Sequence, residues 1–289
     1  MNPLPVFGKR TYVMGILNIT PDSFSGDGLM THKDALKAAV TQAEEFIESG
    51  ADILDIGGES TRPGSQPVNA AEENQRVLPV IKALRANGVK IPLSIDTSKA
   101  AVAEAALENG ADWINDVWGL HADDQMAAVA AKFGAPVILM HNRSKPNQVE
   151  LQQKLGGRYL GAQYNDLLGD VKSELMESVA LARAAGVKDS NIVLDPGIGF
   201  GKTIEQNLAL VNRLDEIKAL GFPVLLGPSR KSFIGYTLNL PPERRLEGTL
   251  AVCTVGILRG ADILRVHDVQ QIVRAARMAD ALLGRKNSE

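Results

Sequence analysis

The chain is short of several things. It has one cysteine, four histidines, 4% aromatic residues and almost no charge imbalance, with 31 Lys and Arg against 34 Asp and Glu for a formal net charge of -3. A lone Cys253 excludes an internal disulfide framework and any all-cysteine zinc site. Its setting in LAVCTVGIL predicts a packed core thiol and no nucleophile. The missing basic excess argues against a general nucleic-acid binder. No run of about 18 apolar residues exists, so no membrane-spanning helix is expected. The opening MNPLPVFGKR has two prolines and no apolar stretch, unlike a secretory leader, and a cytoplasmic location is the expectation.

What is present is a repeated pattern. Eight short apolar runs each end in polar residues: 12–19, 52–58, 92–97, 113–117, 136–141, 192–197, 223–229 and 262–267. Ala-, Glu- and Leu-rich stretches of helical periodicity separate them. Nearly continuous apolar strands fit a parallel sheet covered on both faces. Eight βα units in about 250 residues fit an α/β chain of the (β/α)8, TIM-barrel type, against an open doubly wound sheet as the rival. No linker or low-complexity tract divides residues 1–289, so a single domain is expected. Gly-Ala-Asp recurs at 50–52, 110–112 and 260–262, where the glycine is expected to end a helix just before a strand.

In such barrels the site lies at the C-terminal strand ends. Those ends carry Asn18, Asp55, Asp96, Asn115, Asp116, His141, Asp195, Ser229, Arg230, Arg265 and His267. One Asp after a strand is often a turn or cap residue. Eight strands ending alike predict a polar pocket. Two connections, 18–28 and 57–68, exceed the usual length of about 2–6 residues and read as lids over the mouth. PGIGFGKT at 196–203 fails both the Walker A and the dinucleotide patterns. Its glycines are expected to let backbone approach a flat ligand beside Asp195. Arg265 and His267, either side of Val266, suit a phosphate or diphosphate, with an ion pair from Arg265 to a carboxylate such as Asp55 as the structural alternative. The segment 142–166 reads as a helix of its own or a mobile lid.

MGILNITPDSFSGDG, GADILDIGGESTRPGS, PLSIDTSK, INDV, VILMH, LDPGIGFGKT, GPSRKSFIG and LRVHDV, in that order along the whole chain, together resemble the dihydropteroate synthase family. The resemblance implies a pterin-binding TIM barrel that joins 6-hydroxymethyl-7,8-dihydropterin diphosphate to 4-aminobenzoate in folate biosynthesis. It also implies a cytoplasmic, Mg2+-using homodimer and a sulfonamide target. By the same resemblance Asp195 and Asn115 take the pterin ring, Asp96 holds its other side and Lys231 donates to it. Arg265 and His267 bind the diphosphate, Asn18 positions Mg2+, and Thr61, Arg62 and Ser232 border the diphosphate and aminobenzoate sites. Lys231, Asp96 and Asp27 are the residues it assigns to catalysis. One departure stands out: the family's first loop reads SFSDGG, and here Gly26 and Asp27 are exchanged, displacing the loop aspartate by one position. The nearest rival is a pterin-binding methyltransferase, which needs no diphosphate site; a non-catalytic barrel is the other.

Overall fold

The computed structural model describes residues 2–20, 32–61, 63–145 and 148–285. Eight parallel strands form the wall of a barrel: β1 Tyr12–Asn18, β2 Ile53–Gly57, β3 Leu93–Asp96, β4 Trp113–Asp116, β5 Val137–Met140, then, beyond a hairpin, β8 Ile192–Asp195, β9 Leu225–Leu226 and β10 Ile263–Val266. The hairpin is β6 Val149–Gln152 with β7 Gly156–Tyr159. Neighbours run β8-β5-β4-β3-β2-β1-β10-β9, and a parallel bridge between Leu194 and Val224 joins the two ends. All eight apolar runs of the sequence therefore become wall strands. The segment 142–166 is neither the helix nor the free lid expected of it: its centre is the antiparallel β6–β7 hairpin.

Helices cover the outside: α1 His32–Glu48, α2 Ala70–Ala86, α3 Ala100–Glu108, α4 Met126–Phe133, α5 Leu167–Ala184, α6 Ile204–Asn212, α7 Leu214–Lys218, α8 Ser232–Leu238, α9 Leu246–Leu258 and α10 Val269–Leu282. Among the described residues no helix is long and apolar enough to cross a membrane. Leu54, Ile56, Ile95, Ile114, Leu139, Leu194 and Leu264 point outward into the layer shared with the helices. Cys253 is fully buried in that layer, and burial raises its thiol pKa, which fits a packing role.

Period-two alternation along each strand then sorts the interior. Met14, Ile53, Trp113, Ile138, Val193, Leu225 and Ile263 form one apolar layer at the lower end, sealed by Leu4 and Phe7. Burial of each such side chain stabilises the fold by about 1.5–3 kcal/mol. Two residues further along the same strands, Ile53 gives way to Asp55, Trp113 to Asn115, Val193 to Asp195 and Ile263 to Arg265. The next inward layer is thus polar, and it is the floor of the mouth.

The three Gly-Ala-Asp repeats do more than end helices. Gly50, Gly110 and Gly260 have φ of 95°, 108° and 98°, a conformation suited to glycine, each just after a helix. The aspartate that follows accepts a main-chain N–H at the start of a neighbouring wall strand: Asp52 from Val13 (2.8 Å), Asp112 from Leu93 (3.0 Å) and Asp262 from Val224 (2.7 Å). A basic partner, Arg10, Arg85 or Lys218, pairs with each. Asp112 also takes the Asn2 N–H at 2.6 Å, and Trp113 Nε1 donates to Asn2 O at 2.8 Å, so the N-terminal segment is tied across the closed end.

Candidate active site at the barrel mouth

At the centre of the mouth Arg265 donates from Nε to Asp55 Oδ2 and from Nη2 to Asp96 Oδ2, both at 2.5 Å. Asn115 Nδ2 donates to the same Asp55 oxygen at 2.9 Å. Four strands, β2, β3, β4 and β10, therefore present one connected set of polar groups. The other Asp55 oxygen is buried with no hydrogen-bond partner among the described residues. Such an oxygen is costly to leave unmatched, so the site holds acceptor capacity that its own residues do not use. The structural alternative for Arg265 is thus present: its guanidinium pairs with carboxylates. His267 lies just beyond β10 and faces Ser229, with Nδ1 and the main-chain N both near Ser229 Oγ at 3.0 and 3.1 Å.

Charge is held here under strain of solvation. Burial, opposed by Arg265 and reinforced by Asp55, pushes the Asp96 carboxyl up to about 7. Burial also raises Asp195, against the pull of Lys231 and a hydrogen bond from Gly197 N at 2.7 Å. Lys231, at the start of α8, is held down at about 8, mainly by burial and secondarily through Arg265, while Asp195 opposes the shift. Arg265 is buried too, yet Asp55 and Asp96 carry it above its ordinary value. Perturbed groups of both signs facing one cleft mark a functional site. Asp116, by contrast, is a turn residue: its two oxygens accept the N–H groups of Trp118 and Leu120 at 2.9 and 2.8 Å.

The segment 196–203 corrects one expectation. Its glycines admit the chain itself, not an open ligand face. A Cβ on Gly197 would overlap the carbonyl of His141, and one on Gly201 the backbone at Arg143 and Ser144. Gly199 packs under the Lys231 side chain. Lys202, considered in the sequence only as part of a phosphate loop, is buried under this turn. Its Nζ donates to Gly197 O (2.9 Å), Phe200 O (3.0 Å) and His141 Nδ1 (2.9 Å). Burial, then the nearby Lys202 charge, holds His141 down at about 2, so the imidazole is neutral and can accept that bond. His141 Nε2 lies 3.0 Å from Glu174 Oε2 without hydrogen-bond alignment. No local spacing announces this network, because Lys202 and His141 are 61 residues apart.

Lys231 Nζ donates to Ile198 O and lies 4.5 Å from the centre of the Phe200 ring. Asn18 ends β1, half-buried and paired in register with Gly57 at the start of the second loop. Thr61 on that loop is half-buried, as is Ser232, the first residue of α8. The loop is fastened at its base: Lys99 bridges Glu59 and the buried Glu73, and Glu59 accepts Val68 N–H at 3.2 Å. The mouth thus brings together Asn18, Asp96, Asn115, Asp195, Lys231, Ser232, Arg265 and His267, with Thr61 on its rim. Asp27 and Arg62 lie outside the described residues.

A parallel barrel with paired acidic, amide and cationic groups on its C-terminal rim fits an enzyme for a flat, nitrogen-rich ligand. The sequence pattern of the family described as "Pterin binding enzyme" matches residues 14–267, which defines the class. The chain is similar to a dihydropteroate synthase of Clostridium beijerinckii, 52% identical over 96% of both chains. It also resembles the structure of a Clostridium difficile dihydropteroate synthase determined in the presence of pteroic acid, with a TM-score of 0.88, 48% identity, and 98% of this chain and 100% of that chain covered. A third likeness is the Xanthomonas albilineans dihydropteroate synthase with 4-aminobenzoic acid, with a TM-score of 0.85, 40% identity, and 95% and 93% covered. The chain belongs to the dihydropteroate synthase family.

Proposed function

We propose that the mouth binds 6-hydroxymethyl-7,8-dihydropterin diphosphate and joins it to 4-aminobenzoate, giving 7,8-dihydropteroate and diphosphate. The observation that carries the assignment of roles is the polar layer at the mouth: the buried Asp195, Asn115 and Asp96 and the half-buried Lys231 gather both acceptors and donors. A pterin ring offers a guanidine-like edge of donors, for which Asp195 is the matching acceptor, with Asn115 and Asp96 on further ring nitrogens. Lys231 would donate to the ring carbonyl and to N5. Solved relatives that hold pteroic acid and 4-aminobenzoic acid support this pairing of substrates.

In the reaction the C–O bond to the diphosphate breaks, and the leaving group takes the electron pair. The aniline nitrogen forms the new C–N bond and releases its proton to solvent. An electron-rich dihydropterin stabilises a methylene cation, so the displacement is SN1-like in this account. Arg265 and His267 face the leaving group, and Arg265 would exchange part of its carboxylate pairing for phosphate oxygens. For Mg2+ the residues fit in one way only. Asn18 supplies a neutral oxygen, and no cluster of three His, Cys, Asp or Glu exists among the described residues, so the ion would arrive on the diphosphate. When bound, it neutralises charge on the departing diphosphate. No protein nucleophile is used.

The late helices are proposed to pair two copies of the chain, because Leu258, Met278 and Leu282 stand exposed on α9 and α10. Sedimentation as a monomer at micromolar concentration would end that part of the account. The enzymatic reading is tested by incubating the chain with both substrates and Mg2+ and following dihydropteroate. Formation of product is the expected result, and its absence overturns the assignment.

A further inference from the structure

We propose that Tyr159 is a positioning residue for the second substrate, tying the second loop to the wall of the ring pocket. The proposal rests on the site assignment above and adds a residue to it from the β6–β7 hairpin.

Tyr159 ends the hairpin, and its hydroxyl donates to the carbonyl of Thr61 at 3.1 Å. Its ring lies against Phe200, with centroids 6.1 Å apart and planes at 28°. The Lys231 ammonium lies 4.5 Å from the Phe200 centroid. One half-buried side chain therefore touches both the loop that carries Thr61 and the ring beside the pterin lysine. Tyrosine suits this place because an apolar ring and a polar tip can serve two surfaces at once. Burial raises its phenol above the ordinary value, so it remains a donor at working pH.

The hairpin is itself anchored, as a positioning element must be. The buried Arg245 donates to Leu155 O at the hairpin turn (2.7 Å) and to Arg230 O beside Lys231 (2.8 Å). Arg158 pairs with Glu150 across the two strands at 2.6 Å and lies 4.3 Å from the Tyr236 ring of α8. The loop, in contrast, has a Gly/Pro composition and is held mainly at its base, through Glu59. Gly157 packs on Pro63, and Leu151 approaches Gly64, so hairpin and loop are in contact along several residues. The hydroxyl of Tyr159 is the directional part of that contact.

The test uses the full chain with Tyr159→Phe, which removes only the hydroxyl, and Tyr159→Leu, which also removes the stack. Tyr159→Phe should raise KM for 4-aminobenzoate about 3- to 10-fold, the worth of one hydrogen bond, while KM for the pterin diphosphate stays within about twofold. Hydrogen exchange of residues 57–68 should speed up in the same variant with no change in melting temperature. Tyr159→Leu should raise KM for both substrates. An unchanged KM for 4-aminobenzoate in Tyr159→Phe overturns the proposal, and so does unchanged exchange of the loop. If the wild-type chain makes no dihydropteroate, the site assignment fails instead, and the exchange measurement alone decides whether Tyr159 holds the loop.

Discussion

At the closed end of the barrel Asp112 takes the N–H of Leu93 and of Asn2 and pairs with Arg85. At the mouth Asp55 and Asp96 divide a single guanidinium, and one Asp55 oxygen has no hydrogen-bond partner among the described residues. The same residue type, at the two ends of the barrel wall, thus does two jobs. Closed-end aspartates are matched by donors of the chain itself and hold strand starts in register. Mouth carboxylates are crowded, buried and under-supplied with donors, which costs stability and leaves capacity for a ligand. Substitution should therefore damage stability at one end and activity at the other.

The largest effect is expected at Lys231. Lys231→Met should lower condensation by about 10³-fold, in line with loss of a key charge-stabilising donor. It should also melt higher than wild type at pH 7. Lys231 is held near 8 in the folded chain against an ordinary 10.5, so the unfolded chain binds this proton more tightly. The residue therefore weakens the fold below pH 8, and the penalty fades as pH rises toward 10.5. Thermal melts of both proteins between pH 7 and 10 should converge at the alkaline end. A variant that is less stable at every pH would break the comparison.

Asp112→Ala should do the reverse. Removing it leaves the buried Leu93 N–H without its acceptor and takes the carboxylate from half-buried Arg85, and about 3 kcal/mol of stability should go with it. Urea unfolding reads that loss, and the activity per folded molecule should stay within about twofold because no mouth group is touched. A large fall in turnover of the folded fraction would mean that the two ends are not separable.

Much of this division was legible in the sequence. The eight strands were visible because each apolar run ended in a polar residue, and those strand ends placed Asp55, Asn115, Asp195 and Arg265 at one mouth. The family resemblance supplied their roles. What stayed hidden was non-local. The Gly-Ala-Asp aspartates could be read as following a helix cap, but the N–H groups that donate to them from neighbouring strands are fixed only by closure of the sheet. VELQ and GGRY lack the apolar alternation of a strand, and the hairpin they form is stabilised by contacts with the second loop and α8. The glycines at 197 and 201 looked like room for a ligand and are room for the chain at His141 and Arg143. Arg265 was open between carboxylate and diphosphate, and the structure pairs it with Asp55 and Asp96.

Asp195→Asn tests the central claim most directly, because the amide keeps an oxygen to accept the Gly197 N–H and loses the charge, with the second acceptor oxygen replaced by an NH2 donor. Condensation rate and melting temperature should be measured on the same preparation. The account predicts a loss of turnover on the order of 10³-fold with a melting temperature equal to or above wild type. Near-wild-type turnover, or a loss explained by a collapsed melting temperature, would contradict it.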